Sequence, residues 1–195
     1  MCKELFEEII GRLENDLPPY LHYHSARHTQ MVIQQAEFLA EKESVENPDI
    51  ELIKIACLFH DTGFLIAMDQ HEERSCKFAS EELPGYGYSK GEIEKICGMI
   101  RATKVPQRPL TLNEKIVADA DLFYLGTSRY KKLSEKLYQE LQYLKPEITE
   151  EDWYNIQVNF LNAHHFHTNY AKNKLEPVKQ ENLQILKDEY RKSSD

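Results

Sequence analysis

Apolar residues return every three or four positions along almost the whole of this 195-residue chain, and no segment alternates them every second position. A period of 3.6 belongs to helices burying one face, and a period of two belongs to half-buried strands. The chain is therefore expected to be all-α, with helices packed on helices. Leu5, Phe6, Ile9, Ile10 and Leu13 mark a first helix, stopped by "DLPPY". Ser25 is placed to cap a second, carrying Val32, Ala36, Leu39 and Ala40. Asp49 is expected to cap a third, running through Ile50, Ile53 and Cys57 to Phe59.

Further helices are expected at about His71–Leu83, from Ser89 to the loop "VPQRPLT", and over Glu114–Leu125, Ser128–Leu144, Glu150–His164 and Pro177–Tyr190. With no repeat, low-complexity tract or long linker, residues 1–195 read as a single helical bundle of about eight or nine helices. Hydrophobic residues at 41% against 29% charged leave enough apolar material for a sizeable core.

Charge excludes one class of partner. Lys and Arg number 24 against 33 Asp and Glu, a formal charge of -9, which disfavours duplex nucleic acid. A local cationic pocket for one small anion is compatible with that field. Cys2, Cys57, Cys76 and Cys97 form no Cys-x-x-Cys pair, which reads as a reducing compartment. The start "MCKELFEEIIGRLENDLPPY" lacks a charged-then-apolar leader, and every apolar stretch is too short to span a bilayer. A cytoplasmic protein without membrane partners is expected.

The third helix poses a chemical question. Its apolar run, "IACLFHDTGF", ends on His60 and Asp61. Burying an imidazole and a carboxylate without partners costs several kcal/mol, so a metal ion is expected beside them. Adjacent helical residues project about 100° apart, which lets both reach one ion at a helix end. Nitrogen plus carboxylate oxygen suits Mn, Fe, Co, Ni or Zn, and Mg less well. Two other stretches offer further ligands. In "YHSARHT", His24 and His28 stand one helical turn apart; in "VADADL", Asp119 and Asp121 point to opposite sides of a helix. Both aspartates have apolar neighbours one turn away, so periodicity does not choose between them.

The order His28, His60-Asp61 and an Asp in "ADADL" resembles the H…HD…D signature of the HD-domain superfamily of metal-dependent phosphohydrolases. "YHSARHT", "ACLFHDTGF", "HEERS", "MIRATKVPQ" and "VADADLFYLG" together resemble small bacterial predicted HD hydrolases over nearly the whole chain. The resemblance implies an all-α fold with a divalent ion on His28, His60, Asp61 and an Asp. The family's "A-D" position matches Asp119. The spacing from His24 to His28 is also similar to the "YHN-x-x-H" stretch of cyclic-nucleotide phosphodiesterases, with Ser25 in place of the Asn. By position, that similarity implies a general-acid role for His24.

The expected activity is hydrolysis of a phosphate ester, of a nucleotide or another small molecule, by a metal-activated water. Asp61 is a candidate proton acceptor and His24 a candidate donor. His71 and Glu72 in "DQHEERS" are candidate pocket groups. Arg27, Arg101 and Lys104, the cations nearest the motifs, are candidates to balance phosphate charge. In "NAHHFHT", which lacks an accompanying acid, His164 is expected to line the pocket rather than bind metal. Leu137, Leu141 and Leu144 read as core or as the seam of a homodimer. An HD-type di-iron oxygenase and a non-catalytic metal- or nucleotide-binding module are the competing readings; between Asp61 and Asp119 only His71 is available for a second metal.

Overall fold

The computed structural model describes residues 3–194, which leaves Cys2 outside the described residues. Among them there are nine α-helices and no strand, as the periodicity requires. They are α1 (Lys3–Asp16), α2 (Ala26–Lys42), α3 (Asn47–Phe59), α4 (His71–Glu82), α5 (Lys90–Ala102), α6 (Leu112–Asp121), α7 (Tyr130–Leu144), α8 (Glu150–Ala163) and α9 (Asn169–Ser194). No described helix is long and apolar enough to cross a membrane. Cys57, Cys76 and Cys97 are buried free thiols.

Caps decide most helix starts. Ser25 accepts the His28 N–H at the head of α2, and Ser89 with Glu92 forms a reciprocal capping box at α5. Thr111 with Glu114 and Thr149 with Asp152 repeat that box at α6 and α8. The Thr111 box starts α6 two residues before the expected Glu114. Asp49 does not cap α3; it lies inside the first turn with Pro48, whose fixed φ and missing N–H suit that place.

The larger core is built by α1 to α6. Leu5, Ile9, Leu39, Ile53, Leu58 and Ile96 are among its fully buried side chains. Within it α2 packs on α3 and α6, and α5 packs on α3, α4 and α6. A second cluster, including Leu125, Leu161, Phe166, Ala171 and Leu175, joins α8 and α9 to the 3-10 turn at Phe123–Gly126. This turn replaces the expected continuation of α6 to Leu125. A Cβ on Gly126 would overlap Leu175 of α9, so glycine sets how closely the two elements approach.

The last helix begins eight residues before the expected Pro177, which sits in its interior. Thr168 caps it, its Oγ1 accepting the Ala171 N–H at 3.2 Å. Burial of Ala171 and Leu175 holds the first turns helical. Packing outweighs the lost backbone bond at the proline.

Candidate metal centre

His60 and Asp61 stand where α3 ends, and the apolar run explains their rigidity. Ile55, Ala56, Cys57, Leu58 and Phe59 have no exposed surface. His60 donates from Nδ1 to the Cys57 carbonyl at 2.7 Å, one of the acceptors that a helix leaves free in its last turn. That bond fixes the tautomer and turns the Nε2 lone pair inward. The chain then tightens into the 3-10 turn Thr62–Leu65. Ser75 of α4 locks it, donating to the His60 carbonyl at 2.7 Å and accepting the Gly63 N–H at 2.8 Å. A Cβ on Gly63 would overlap the His71 carbonyl, so only glycine lets α4 close over this turn.

Three donor atoms, on His28, His60 and Asp121, converge there, and Asp61 adjoins the two imidazoles. His28 Nε2 lies 3.0 Å from Asp121 Oδ1 and 3.3 Å from His60 Nε2. Asp61 Oδ2 lies 3.2 Å from His60 Nε2 and 3.5 Å from His28 Nε2, and Asp121 Oδ1 lies 3.5 Å from His60 Nε2. Donors about 2.1 Å from one ion and at right angles to each other are about 3.0 Å apart. The spacing of His28, His60 and Asp121 thus fits a divalent cation. So does the electrostatics: Asp61 Oδ2 is buried with no hydrogen-bond donor, and two imidazole nitrogens face each other beside two carboxylates. Burial alone would raise both carboxyls, yet the imidazoles hold Asp61 and Asp121 well below the usual carboxylate range. Burial would lower His60, yet the two aspartates hold it well above its ordinary value. The cluster needs positive charge, from a proton or a metal.

Asp119, the aspartate expected at the ion, is not in this cluster. It faces the other side of α6, fully buried. Its carboxylate accepts from the backbone N–H of His167 at 2.9 Å, the backbone N–H of Thr168 at 2.8 Å and the Thr168 hydroxyl at 2.7 Å. It ties α6 to the start of α9, and Asp121 takes the place beside His28 and His60.

His24 stands at the edge of the centre. Its Nδ1 is 2.7 Å from Glu140 Oε2, and Glu140 Oε1 accepts the backbone N–H groups of His24, at 2.8 Å, and of Tyr23. Burial pushes the His24 pKa down, but the bond to Glu140 and the nearby charges of Asp61 and Asp121 push it up and prevail. Phe64 stacks against both His24 and His71, with ring centroids 4.4 and 4.2 Å from its own. His71 Nε2 lies 3.9 Å from Asp61 Oδ1 and 3.6 Å from Glu72 Oε1. No motif in the sequence singles out Glu140. It had a signal: it shares the helix face of Leu137, Leu141 and Leu144, where a lone carboxylate needs partners.

The sequence-selected cations separate. Lys104 lines the cavity that also meets Asp61, His71, Glu72 and Asp121. Arg101 does not; it makes a two-bond pair with Glu73, at 2.8 and 2.9 Å, on the exposed surface. Arg27 is exposed in another pocket, with Arg129, Lys132 and Lys136, that reaches Tyr23 and His28 from outside this cavity. His164 also misses the cavity and lines a smaller one of about 160 Å³ with Gln107 and His167. Lys179 donates to the His164 carbonyl and lies 3.4 Å from its Nδ1. Burial and the lysine charge lower the His164 pKa to about 3.

The sequence profile of the HD domain matches residues 25–124, from the cap of α2 to the turn after α6. The chain belongs to the HD domain family. A predicted HD superfamily hydrolase from an uncultured Thermotogales bacterium is similar at 24% identity, with a TM-score of 0.56 over 82% of this chain and 89% of that one. A Lactobacillus plantarum protein of 17% identity is similar in fold over 99% of both chains, with a TM-score of 0.68. No curated protein matches the chain. HD domains bind divalent metals, and in this one the donors stand on the ends of α3 and α6 and the first turn of α2.

Proposed function

We propose that this HD domain is a metal-dependent phosphohydrolase that cleaves a phosphate ester of a nucleotide or another small molecule with water. The observation that carries the reading is the grouping of His28, His60, Asp61 and Asp121 beside a cavity that Asp61 and Asp121 line together with His24. Those four residues would hold one divalent ion, with two imidazole nitrogens favouring Mn, Fe, Co, Ni or Zn over Mg. Such an ion, when bound, polarises a phosphoryl oxygen and lowers the pKa of a water molecule.

The side chains supply the proton transfers. The water oxygen forms the new bond to phosphorus, and the proton it sheds passes to a cavity carboxylate, Asp61 or Glu72, both beside His71 Nε2. As the bond from phosphorus to the alcohol oxygen breaks, His24 donates its proton to the departing alkoxide. Glu140 holds the His24 ring by Nδ1 and favours the protonated form, which leaves Nε2 for that transfer. Lys104 offsets part of the phosphate charge.

The test is metal content by elemental analysis of native protein and of His60→Ala, both purified without chelator, followed by phosphate release from an ester panel. About one transition-metal ion per chain, lost in the variant, with release abolished in Asp61→Asn, is expected. No ion after reconstitution with Mn, Fe, Ni or Zn would overturn the proposal. Two irons per chain with oxygen consumption would replace it by oxygen chemistry.

A further inference from the structure

Beside the metal donors opens a cavity of about 430 Å³, within the range of about 300–1,000 Å³ usual for small-molecule sites. Its two ends differ in chemistry. One end carries His24, Asp61, His71, Glu72 and Asp121. The other runs between α7 and α8, walled by Leu137, Trp153, Ile156 and Phe160. There the polar contact is between protein groups, Tyr130 donating to Gln157 Oε1 at 2.7 Å. Helix interfaces ordinarily interdigitate without voids larger than a water molecule. Instead, Ile156 stays exposed at the rim, and the Trp153 ring lies parallel to Tyr138 with centroids 5.4 Å apart, lining open space.

Charge narrows the class further. Lys104 is the only Lys or Arg among the lining residues, against the carboxylates of Asp61, Glu72 and Asp121. One ion and one lysine suit one phosphoryl group. A polyphosphate chain would run its further charges along Leu137, Phe160 and Ile156, where no cation meets them and water is partly excluded.

We infer that the substrate carries a single phosphoryl group on a large apolar, ring-bearing alcohol, which lies between α7 and α8 while the phosphoryl group faces the metal donors. This specifies the substrate class of the phosphohydrolase proposed above and rests on that reading for the position of the phosphate. Trp153, Phe160 and Ile156 are its specificity residues. They touch the body of the substrate and leave the reacting atoms alone.

Trp153 is the chain's single tryptophan, so its fluorescence reports occupancy of this end directly. Two experiments separate this inference from the proposed reaction. In the first, metal-free protein is titrated with cyclohexyl phosphate, glycerol phosphate and pyrophosphate, all transparent where tryptophan is excited. Only cyclohexyl phosphate is expected to saturate a change in emission, and Ile156→Glu, at an exposed position, is expected to weaken it several-fold. In the second, metal-loaded protein is given cyclohexyl phosphate and glycerol phosphate, both esters of alkyl alcohols. A kcat/KM at least about ten-fold higher for cyclohexyl phosphate is expected, reduced towards parity in Phe160→Ala and Ile156→Glu. Hydrolysis with equal or reversed preference, and no emission change, overturns the inference and leaves the phosphohydrolase intact. Saturable binding of cyclohexyl phosphate without hydrolysis of any ester supports the apolar site and overturns the reaction. Neither binding nor hydrolysis overturns both.

Discussion

Replacing Glu140 by glutamine keeps the outline of the side chain and removes its charge and one of its two acceptor ends. The carboxylate of Glu140 serves two backbone N–H groups with one oxygen and the His24 ring with the other, and it is 2% exposed. An amide has one acceptor end, so in Glu140→Gln its NH2 must face either the backbone donors or the ring. While His24 is protonated, Nδ1 is a donor and the NH2 opposes it. A buried donor left unsatisfied, together with the loss of a charge-assisted bond, costs about 3 kcal/mol. Once His24 is neutral, the ring can place its hydrogen on Nε2 and accept from the NH2, and the cost falls to about 1 kcal/mol.

The sign follows from the raised His24 pKa in the folded protein. A histidine raised by its fold adds stability that is complete below the unfolded value of about 6.5 and is lost as pH rises through the folded value. The variant lacks that contribution, so its deficit is largest at low pH. Urea unfolding of both proteins at about pH 5.5 and about pH 9, on either side of the histidine range, measures it. The other titrating groups are common to both proteins and cancel in the difference. An equal deficit at the two pH values, or one below about 0.5 kcal/mol at the lower, would refute the account of how His24 is held.

The paired aspartates give a sharper contrast. Asp121→Ala is expected to abolish metal retention with the helical content intact, while Asp119→Ala keeps the ion. Asp119→Ala leaves three buried donors at His167 and Thr168 unpaired and costs about 3 kcal/mol or more in denaturant unfolding; the opposite pattern would return the ligand role to Asp119. Gly63→Ala drives a methyl group into the His71 carbonyl and is expected to lower stability by about 3 kcal/mol, with the midpoint of thermal unfolding as readout. Pro177→Ala restores a backbone donor inside α9 and is expected to stabilise the protein by about 1–3 kcal/mol in the same assay. A destabilised Pro177→Ala variant would show that the ring is needed where it packs.

Much of the fold and part of the site are legible in the sequence. Helical period, the Ser25 and Ser89 caps, and an apolar run ending in His60 and Asp61 are local properties, set by 3.6 residues per turn and by side chains reaching their own backbone. They were enough to expect about eight or nine helices and a metal ion at the end of α3. The start of α9 was not local: Pro177 reads as a first-turn residue until Leu175 is packed against Gly126. Nor was the choice between Asp119 and Asp121. Two residues apart on one helix, they have equivalent neighbours in sequence and opposite surroundings in space. Only the fold brings His167 and Thr168 to one side of α6 and His28 and His60 to the other. Glu140 belongs to the same class, since its partners lie over a hundred residues away along the chain. Pattern decides which face of a helix is buried; which partner it is buried against is decided by the packing of helices that are distant in sequence.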